Sequence, residues 1–455
     1  MRVSSEEEVT LSPLAAAREA SAATTTTAAL QPAPAQSGIF RAFRALRHRN
    51  FRLFWFGQLI SLIGTWMQTT AQAWLVLELA HDAWLLGVVG ALQFLPVLFF
   101  ALFGGIIADR LPKKRILVLT QSSAAVQAFL LWALVASGTV QIWHVLVLAL
   151  LLGITNALDM PTRQAFVVEM VGREDLPNAV ALNSSLFNMA RVLGPAIGGL
   201  LIARLGVAPL FLLNALSFVP VIVGITMIDP QRLYAQARLS VGKQGQPGPL
   251  QSLREGLAYV AHTPSVLLVI VVVGLVSLFG INFNVSLPLF ATDVLHAGPE
   301  GFGFISSAFG IGSLLSALWL AWANKRPTIR SLLVSGIAFS ALEAGFAISP
   351  WYPLSLVLIA LTGFTQIAFS ALANTTLQAV TPDHLRGRVM SVYMMVFAGS
   401  SPIGNLYTGA LADLFGAPLA VLAGAIPSLI AALAGWFLRE PAEKDLLESR
   451  SFFGS

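Results

Sequence analysis

The sequence predicts an all-α membrane protein, with twelve transmembrane helices in two pseudo-symmetric six-helix bundles. Three observations carry this. Hydrophobic residues make up 56% of the 455 and charged residues 11%, with a mean hydropathy of +0.76, and several apolar runs exceed the ~20 residues a helix needs to cross a bilayer. All but two of the 27 Lys and Arg residues, Arg191 and Arg204, fall in the termini and in alternate loops, as the positive-inside rule requires of an even number of spans. A basic loop, Asp109-Arg110-Leu111-Pro112-Lys113-Lys114-Arg115, recurs 215 residues later as Asn324-Lys325-Arg326-Pro327-Thr328-Ile329-Arg330. Each copy lies between the second and third span of its half, and a repeat at that period indicates two like bundles.

Residues 1–38 carry Glu6-Glu7-Glu8, a threonine run and Pro32 and Pro34. They lack the basic start, apolar stretch and cleavage site of a signal peptide and read as a disordered cytoplasmic tail. The N-terminal bundle covers 39–228. It opens with an amphipathic segment in which Ile39, Phe40, Phe43, Leu46 and Phe51 alternate with Arg41, Arg44, Arg47 and Arg49, a pattern suited to the membrane surface. Its six spans lie at about 52–79, 84–108, 115–137, 141–160, 177–203 and 208–228. Residues 229–264 form a cytoplasmic linker rich in Gly and Pro, with a short amphipathic stretch from Leu250 to Tyr259. The C-terminal bundle covers 265–438, with spans at about 265–292, 299–323, 331–349, 352–373, 388–412 and 417–438. A cytoplasmic tail, 439–455, follows.

Several function classes are excluded. With no cysteine there is no disulfide framework, thiolate metal site or Cys nucleophile. No phosphate-binding Gly-x-x-x-x-Gly-Lys loop and no His-Glu-x-x-His pair occurs, and no convergent catalytic set is visible. We therefore expect no enzyme, metal or cofactor, and no nucleic-acid partner despite the net charge of +5.

The residues also carry local physics. Gly104 and Gly105 permit close helix approach. Gly194, Gly198 and Gly199 put small residues on one face of span five, and Pro195 removes a backbone donor and favours a bend. Asp159 and Arg163 stand four apart and can pair on one helical face. Arg191 sits near the middle of span five, where a charge must face protein or water. Glu343 in span nine is the other intramembrane charge, and Glu78 lies at the outer end of span one.

Gly105, Asp109, Arg110, Lys113 and Lys114 resemble the Gly-x-x-x-Asp-Arg-x-Gly-Arg-Lys loop of the major facilitator superfamily, with Pro112 where that family has Gly. Gly194-Pro195-Ala196-Ile197-Gly198-Gly199 is similar to the signature of its antiporter branches. Pro161 to Phe166 and Gly172 to Ala179 resemble the branch that includes enterobactin exporters and macrolide efflux proteins. The resemblance spans about residues 40–438. It implies alternating access, with protons as the coupling ion and Glu78 and Glu343 as candidate carriers. It also implies a latch in which Asp109, with Gly105, Arg110 and Lys113, docks at the N-terminus of span eleven beside Arg386 and Arg388, where the helix dipole favours a carboxylate. The cavity wall then comes from spans one, four, seven and ten, offering Trp66, Met67, Gln68, Gln72, Asn156, Phe279, Asn282, Phe283, Asn284, Phe364, Gln366 and Phe369, with Arg191 near Gln68 and Gln72. Aromatic faces with scattered amides suit a large amphipathic ligand. The expected protein is a monomeric exporter of an amphipathic drug or siderophore in a bacterial cytoplasmic membrane, with both termini cytoplasmic. Uptake of a small metabolite and a non-transporting receptor are the alternatives.

Overall fold

A computed structural model describes residues 43–234, 249–323 and 328–444, with the side chains of 101–110 and 249–250 outside the description. The expected tail at 1–38, the second basic loop at 324–327, residues 39–42 of the amphipathic segment and residues 445–455 lie outside the described residues. Among the described residues there is no strand. Thirteen α-helices follow in order: α1 Arg49–Ala80, α2 Ala83–Arg110, α3 Lys113–Ala136, α4 Ile142–Leu205, α5 Ala208–Thr226, α6 Pro249–His262, α7 Pro264–Phe279, α8 Phe283–Leu289, α9 Pro299–Ala323, α10 Ile329–Ala347, α11 Tyr352–Val380, α12 Asp383–Phe415 and α13 Ala417–Phe437.

Helix boundaries follow local chemistry. α1 ends at His81, which takes a left-handed conformation at φ 50° and donates its N–H to Leu77 O. The Asp82 carboxylate then accepts from the Leu85 N–H at 3.2 Å, satisfying an orphan donor of α2. Pro112, Pro264 and Pro382 stand at or next to helix starts, where a missing N–H costs nothing. Thr328 and Ser331 cap α10 reciprocally. The turns at His81, Gly138, Gly206, His296 and Gly416 all use positive φ. They lie in alternate connections, at the end away from the basic loops.

The expected spans four and five are one 64-residue helix, α4. The segment 161–176, read from sequence as a loop, is helical because its polar residues find protein partners. Lys113 Nζ donates to Glu169 at 2.9 Å, and Asp175 Oδ2 takes His48 Nε2 at 2.6 Å and Arg47 at 2.9 Å. Helical geometry fails at Gly172 alone within α4, at φ 73°, ψ 178°, while Pro195, where a bend was expected, keeps helical dihedrals. The Tyr234 ring packs on Gly172. An L side chain is strained in this backbone region by about 1–3 kcal/mol. Gly172→Ala is therefore expected to lower the thermal unfolding midpoint of the purified protein in detergent; an unchanged midpoint would show that the break relaxes freely.

The expected seventh span is also interrupted. α7 stops at Phe279, Gly280–Asn282 are non-helical, and after α8 the chain makes a five-residue π turn, Phe290–Val294. The linker stretch at 250–259 is helix α6, which sets Glu255 on Arg388 of α12. Residues 439–444 continue as helix beyond α13, and Glu443 takes Arg330 at 2.8 Å. That guanidinium holds the Glu443 carboxyl below the usual carboxylate range.

Ten helical segments are long and apolar enough to cross a membrane among the described residues, with α4 counted once and α1 not among them. α4, at 64 residues, has about three times the length that one crossing needs, enough for two crossings and the polar stretch between them. α1 has 32 residues but carries Gln58, Gln68, Gln72 and a row of threonines, which lower its hydropathy.

Candidate functional site: a polar chamber and its glycine crossings

The first-half cavity residues come together. Gln68 and Gln72 of α1 and Asn156 of α4 line one cavity of about 110 Å³ with Thr65, Thr69, Gln93, Gln127, Asn214 and Phe218. Helical spacing places Gln68 and Gln72 on one face of α1. The Asn214 amide donates to Gln68 Oε1 at 2.7 Å, and Gln93 donates to Gln72 Oε1 at 3.4 Å. Gln127 donates to Ser123 and to Thr155, and its own Oε1 is buried with no protein partner. The lining is uncharged throughout. Such a wall offers donors and acceptors in equal measure and carries no bias for either sign of charge.

Gln93, Gln127 and Asn214 were not read as site residues from the sequence. They sit on α2, α3 and α5, outside the spans one, four, seven and ten expected to form the wall. The available signal was that each is an amide inside an apolar run, where an unpaired polar group is costly.

Arg191 lies elsewhere. Its guanidinium carbon is 5.5 Å from the Trp66 ring centre and 5.2 Å from that of Phe187, within cation–π range. Nε and Nη1 are buried without hydrogen-bond partners. The expected solvation by Gln68 and Gln72 is absent, because those amides are committed to Asn214 and Gln93. The second-half residues do not join the chamber either. Phe283 is core, its ring 4.5 Å from Phe309 and 6.1 Å from Phe339. Phe279 sets its ring edge-on to Tyr407. Asn282 donates to Leu278 O at 2.9 Å and Phe279 O at 3.0 Å, bridging the helix break, and Gln366 is buried on α11. Glu78 is exposed and accepts from Trp74 at 2.7 Å, whereas Glu343 is buried.

The glycine motif of α4 packs two ways. Gly194 and Gly198 meet α1 at Trp66 and Met67, and Gly199 meets α9. A Cβ at Gly199 would stand 2.9 Å from Gly303 Cα and 2.5 Å from Pro299 O. Pro195 frees the Arg191 carbonyl of its i+4 donor, and that oxygen faces Gly310 of α9. Ser307 seals the seam by donating to Val192 O at 2.7 Å. A matching crossing joins α2 to α12, where a Cβ at Gly87 would stand 2.6 Å from Asn405 O and one at Gly409 2.9 Å from Ala83 O. Both crossings lie in the helix halves away from the basic loops. In the other halves, Ser184 and Ser185 on α4 and Thr375 and Gln378 on α11 are exposed.

At the basic end, Lys113 is held by Glu169, Arg388 by Glu255, and Arg386 by Asp383 at 2.5 Å. α12 begins at Asp383, earlier than expected, so an acid of its own occupies the first turn of that helix. The side chains of Gly105, Asp109 and Arg110 lie outside the described residues. Asp159 accepts from Thr120 at 2.7 Å, Gln121 at 2.8 Å and Arg163 Nε at 2.9 Å, and Arg163 also donates to Gln58. No cluster of metal-ligating side chains occurs among the described residues.

The all-helical, membrane-spanning architecture matches that of a major facilitator-type membrane transporter. Residues 40–454 match the family described as transmembrane secretion effector, and the chain belongs to that family. It is 30% identical over 406 residues to the multidrug efflux pump Tap of Mycolicibacterium fortuitum, covering 87% of this chain and 97% of that one. It is 26% identical over 366 residues to the enterobactin exporter EntS of Escherichia coli O1:K1 / APEC, covering 80% and 85%. The crystal structure of the nucleoside transporter NupG shares the fold, with a TM-score of 0.69 at 13% identity over 86% of this chain and 99% of that one.

Proposed function

We propose that this chain exports an amphipathic small molecule, a drug or siderophore, from a bacterial cytoplasm in exchange for protons. It works as a monomer by alternating access, with neither nucleic acid nor cofactor involved. Twelve crossings result when α4 is counted twice and α1 once. They group as two six-helix bundles, 39–228 and 265–438, joined by the 229–264 linker, with both termini cytoplasmic.

The observation that carries the reading is the uncharged amide chamber in a span-lined interior. One end of the helices around it is sealed by the α4–α9 and α2–α12 glycine crossings. At the other end polar side chains are exposed on α4 and α11, where lipid would disfavour them. This arrangement suits a state open to the cytoplasm and closed outside. Gln68, Gln72 and Asn156 would hold the polar part of a ligand, and the Trp66–Phe187–Arg191 group its aromatic or anionic part. Phe279, Asn282, Phe283 and Gln366 then act in span-seven and span-ten packing. Asp109, with Gly105, Arg110 and Lys113, remains the proposed latch to the start of α12 near Arg386 and Arg388. The names and roles of Tap and EntS support export over uptake.

The test uses everted vesicles with an imposed proton gradient. Siderophores, macrolides and other lipophilic drugs are added in turn while vesicle pH is followed. Collapse of the gradient on addition of one compound, absent from empty vesicles, is the expected result. No response to any compound, with the protein confirmed in the membrane, would overturn proton-coupled drug and siderophore export. Arg191→Gln is expected to lower the response to anionic compounds about fivefold or more and to spare neutral ones; equal losses for both would remove Arg191 from ligand selection.

A further inference from the structure

Glu343 is the most anomalous charged residue in the described membrane interior. It is 4% exposed, and its Oε2 atom has no hydrogen-bond partner. An acid buried this way is costly unless something explains it. Its surroundings supply the explanation. A Cβ at Gly280 would stand 2.9 Å from Glu343 Oε2, 2.9 Å from Ser428 Oγ and 2.8 Å from the Phe339 ring. The carboxyl therefore rests directly on the non-helical joint between α7 and α8, in a space that only a glycine leaves open. The joint itself is under-satisfied, since Ser277 Oγ and Asn282 Oδ1 are also buried without partners.

No neighbour competes for this carboxyl. α7, α8 and α13 contain no Asp, Glu, His, Lys, Arg or Tyr. α11 has only Tyr352, at its first position, with the hydroxyl donating to Gly301 O. Tyr407 of α12 donates to Ala423 O. Asp293, beyond α8, is exposed and accepts from Thr292. Arg330 shares α10 with Glu343 but is paired with Glu443 some three turns away.

We infer that Glu343 is a proton-binding site whose occupancy sets the packing of the Gly280–Asn282 joint against α10 and α13. This deepens the proton-coupled reading above and rests on it. With the proton bound, the neutral acid fits between Phe339 and Gly280 and the joint stays packed. Release of the proton to water leaves a charge with no partner. The joint must then move to admit water, and α8 moves with it, because Asn282 ties both sides of the break together. Proton release is in this way linked to motion of the broken span, as an antiporter requires. Gly280 is thereby explained as well, since any Cβ would occupy the place of the carboxyl.

The test is hydrogen exchange of the purified protein in nanodiscs, read as protection factors for peptides covering 276–290 from mildly acidic to alkaline pH. In the wild type, protection is expected to fall about tenfold or more as pH rises. Glu343→Gln, which keeps the shape of the neutral acid, should hold the protected level at every pH. Glu343→Leu should likewise remove the pH dependence, whatever it does to the absolute level. A wild-type joint indifferent to pH, or a Glu343→Gln joint that still responds, would overturn the assignment. The readout needs no substrate. Absence of antiport in the vesicle assay therefore counts against the exporter reading, while the exchange data decide the role of Glu343.

Discussion

Gly303→Leu is expected to abolish transport while leaving the protein folded. Gly303 and Gly199 meet backbone to backbone: a Cβ at Gly303 would stand 2.5 Å from Pro195 O and 2.9 Å from Gly199 Cα. A leucine cannot fit without separating α4 from α9. Overpacking of a tight contact costs about 1–3 kcal/mol where neighbours can give, and here the neighbour is backbone. On the proposed reading the contact belongs to the closed outer seam, so alternating access would have to break it when that side opens. The penalty then falls on one state, and about 3 kcal/mol changes its relative population on the order of 150-fold. The chain has no cysteine, so a single reporter reads the seam cleanly. Ser307→Cys lies in it, 5% exposed. A membrane-impermeant maleimide applied from the outside should label it slowly alone and rapidly in the Gly303→Leu background. Unchanged labelling together with normal transport would show that the crossing is ordinary packing and not a gate.

The same seam shows what was legible in the sequence. Gly199 stood out within Gly194-Pro195-Ala196-Ile197-Gly198-Gly199, but its partner Gly303 lies in an unremarkable Gly-Phe-Gly. Sequence spacing reveals a small-residue face; it does not say which helix that face meets. The helical, membrane-spanning fold class was readable because burying apolar runs and placing basic loops are one-dimensional problems. The continuity of α4 was not, because Lys113, His48 and Arg47 come from distant positions to satisfy Glu169 and Asp175. The break at Gly280–Asn282 was hidden inside a strongly hydrophobic run, because Phe339 and Glu343 of α10 and Ser428 of α13 pack on a joint that hydropathy cannot register. Half of the chamber was legible, since Gln68, Gln72 and Asn156 stand out in spans expected to face inward. Gln93, Gln127 and Asn214 were missed because the family pattern directs attention away from spans two, three and six. Arg191 was found, but its neighbours are rings and not amides. A guanidinium presents a flat face as well as donors, and sequence depth alone cannot choose between them.

The buried Asp159 network gives the second large effect. Asp159 is 3% exposed and accepts three side chains, from Thr120 and Gln121 of α3 and Arg163 of its own helix. Arg163 reaches on to Gln58 of α1. One carboxylate thus ties α3, α4 and α1 together. Removing it by Asp159→Ala takes away the acceptor that a guanidinium, an amide and a hydroxyl share, leaving the guanidinium with Gln58 and no carboxylate. Breaking a buried pair from one side costs about 3–5 kcal/mol. The Arg163 side chain is 27% exposed and can turn toward water, which places the expected loss at the lower end of that range. Asp159→Leu combined with Arg163→Met removes both charges and should be less destabilising than Asp159→Ala, because no charge is then stranded. The thermal unfolding midpoint of the purified protein should therefore fall in the order wild type, double variant, Asp159→Ala. If the double variant is the least stable, the pair contributes net attraction beyond its desolvation cost. If Asp159→Ala matches the wild type, the network does not hold these helices at all, and the tie between α1 and α4 comes instead from other contacts, such as Trp55 Nε1 donating to Leu182 O at 3.4 Å and the glycine contacts at Trp66 and Met67.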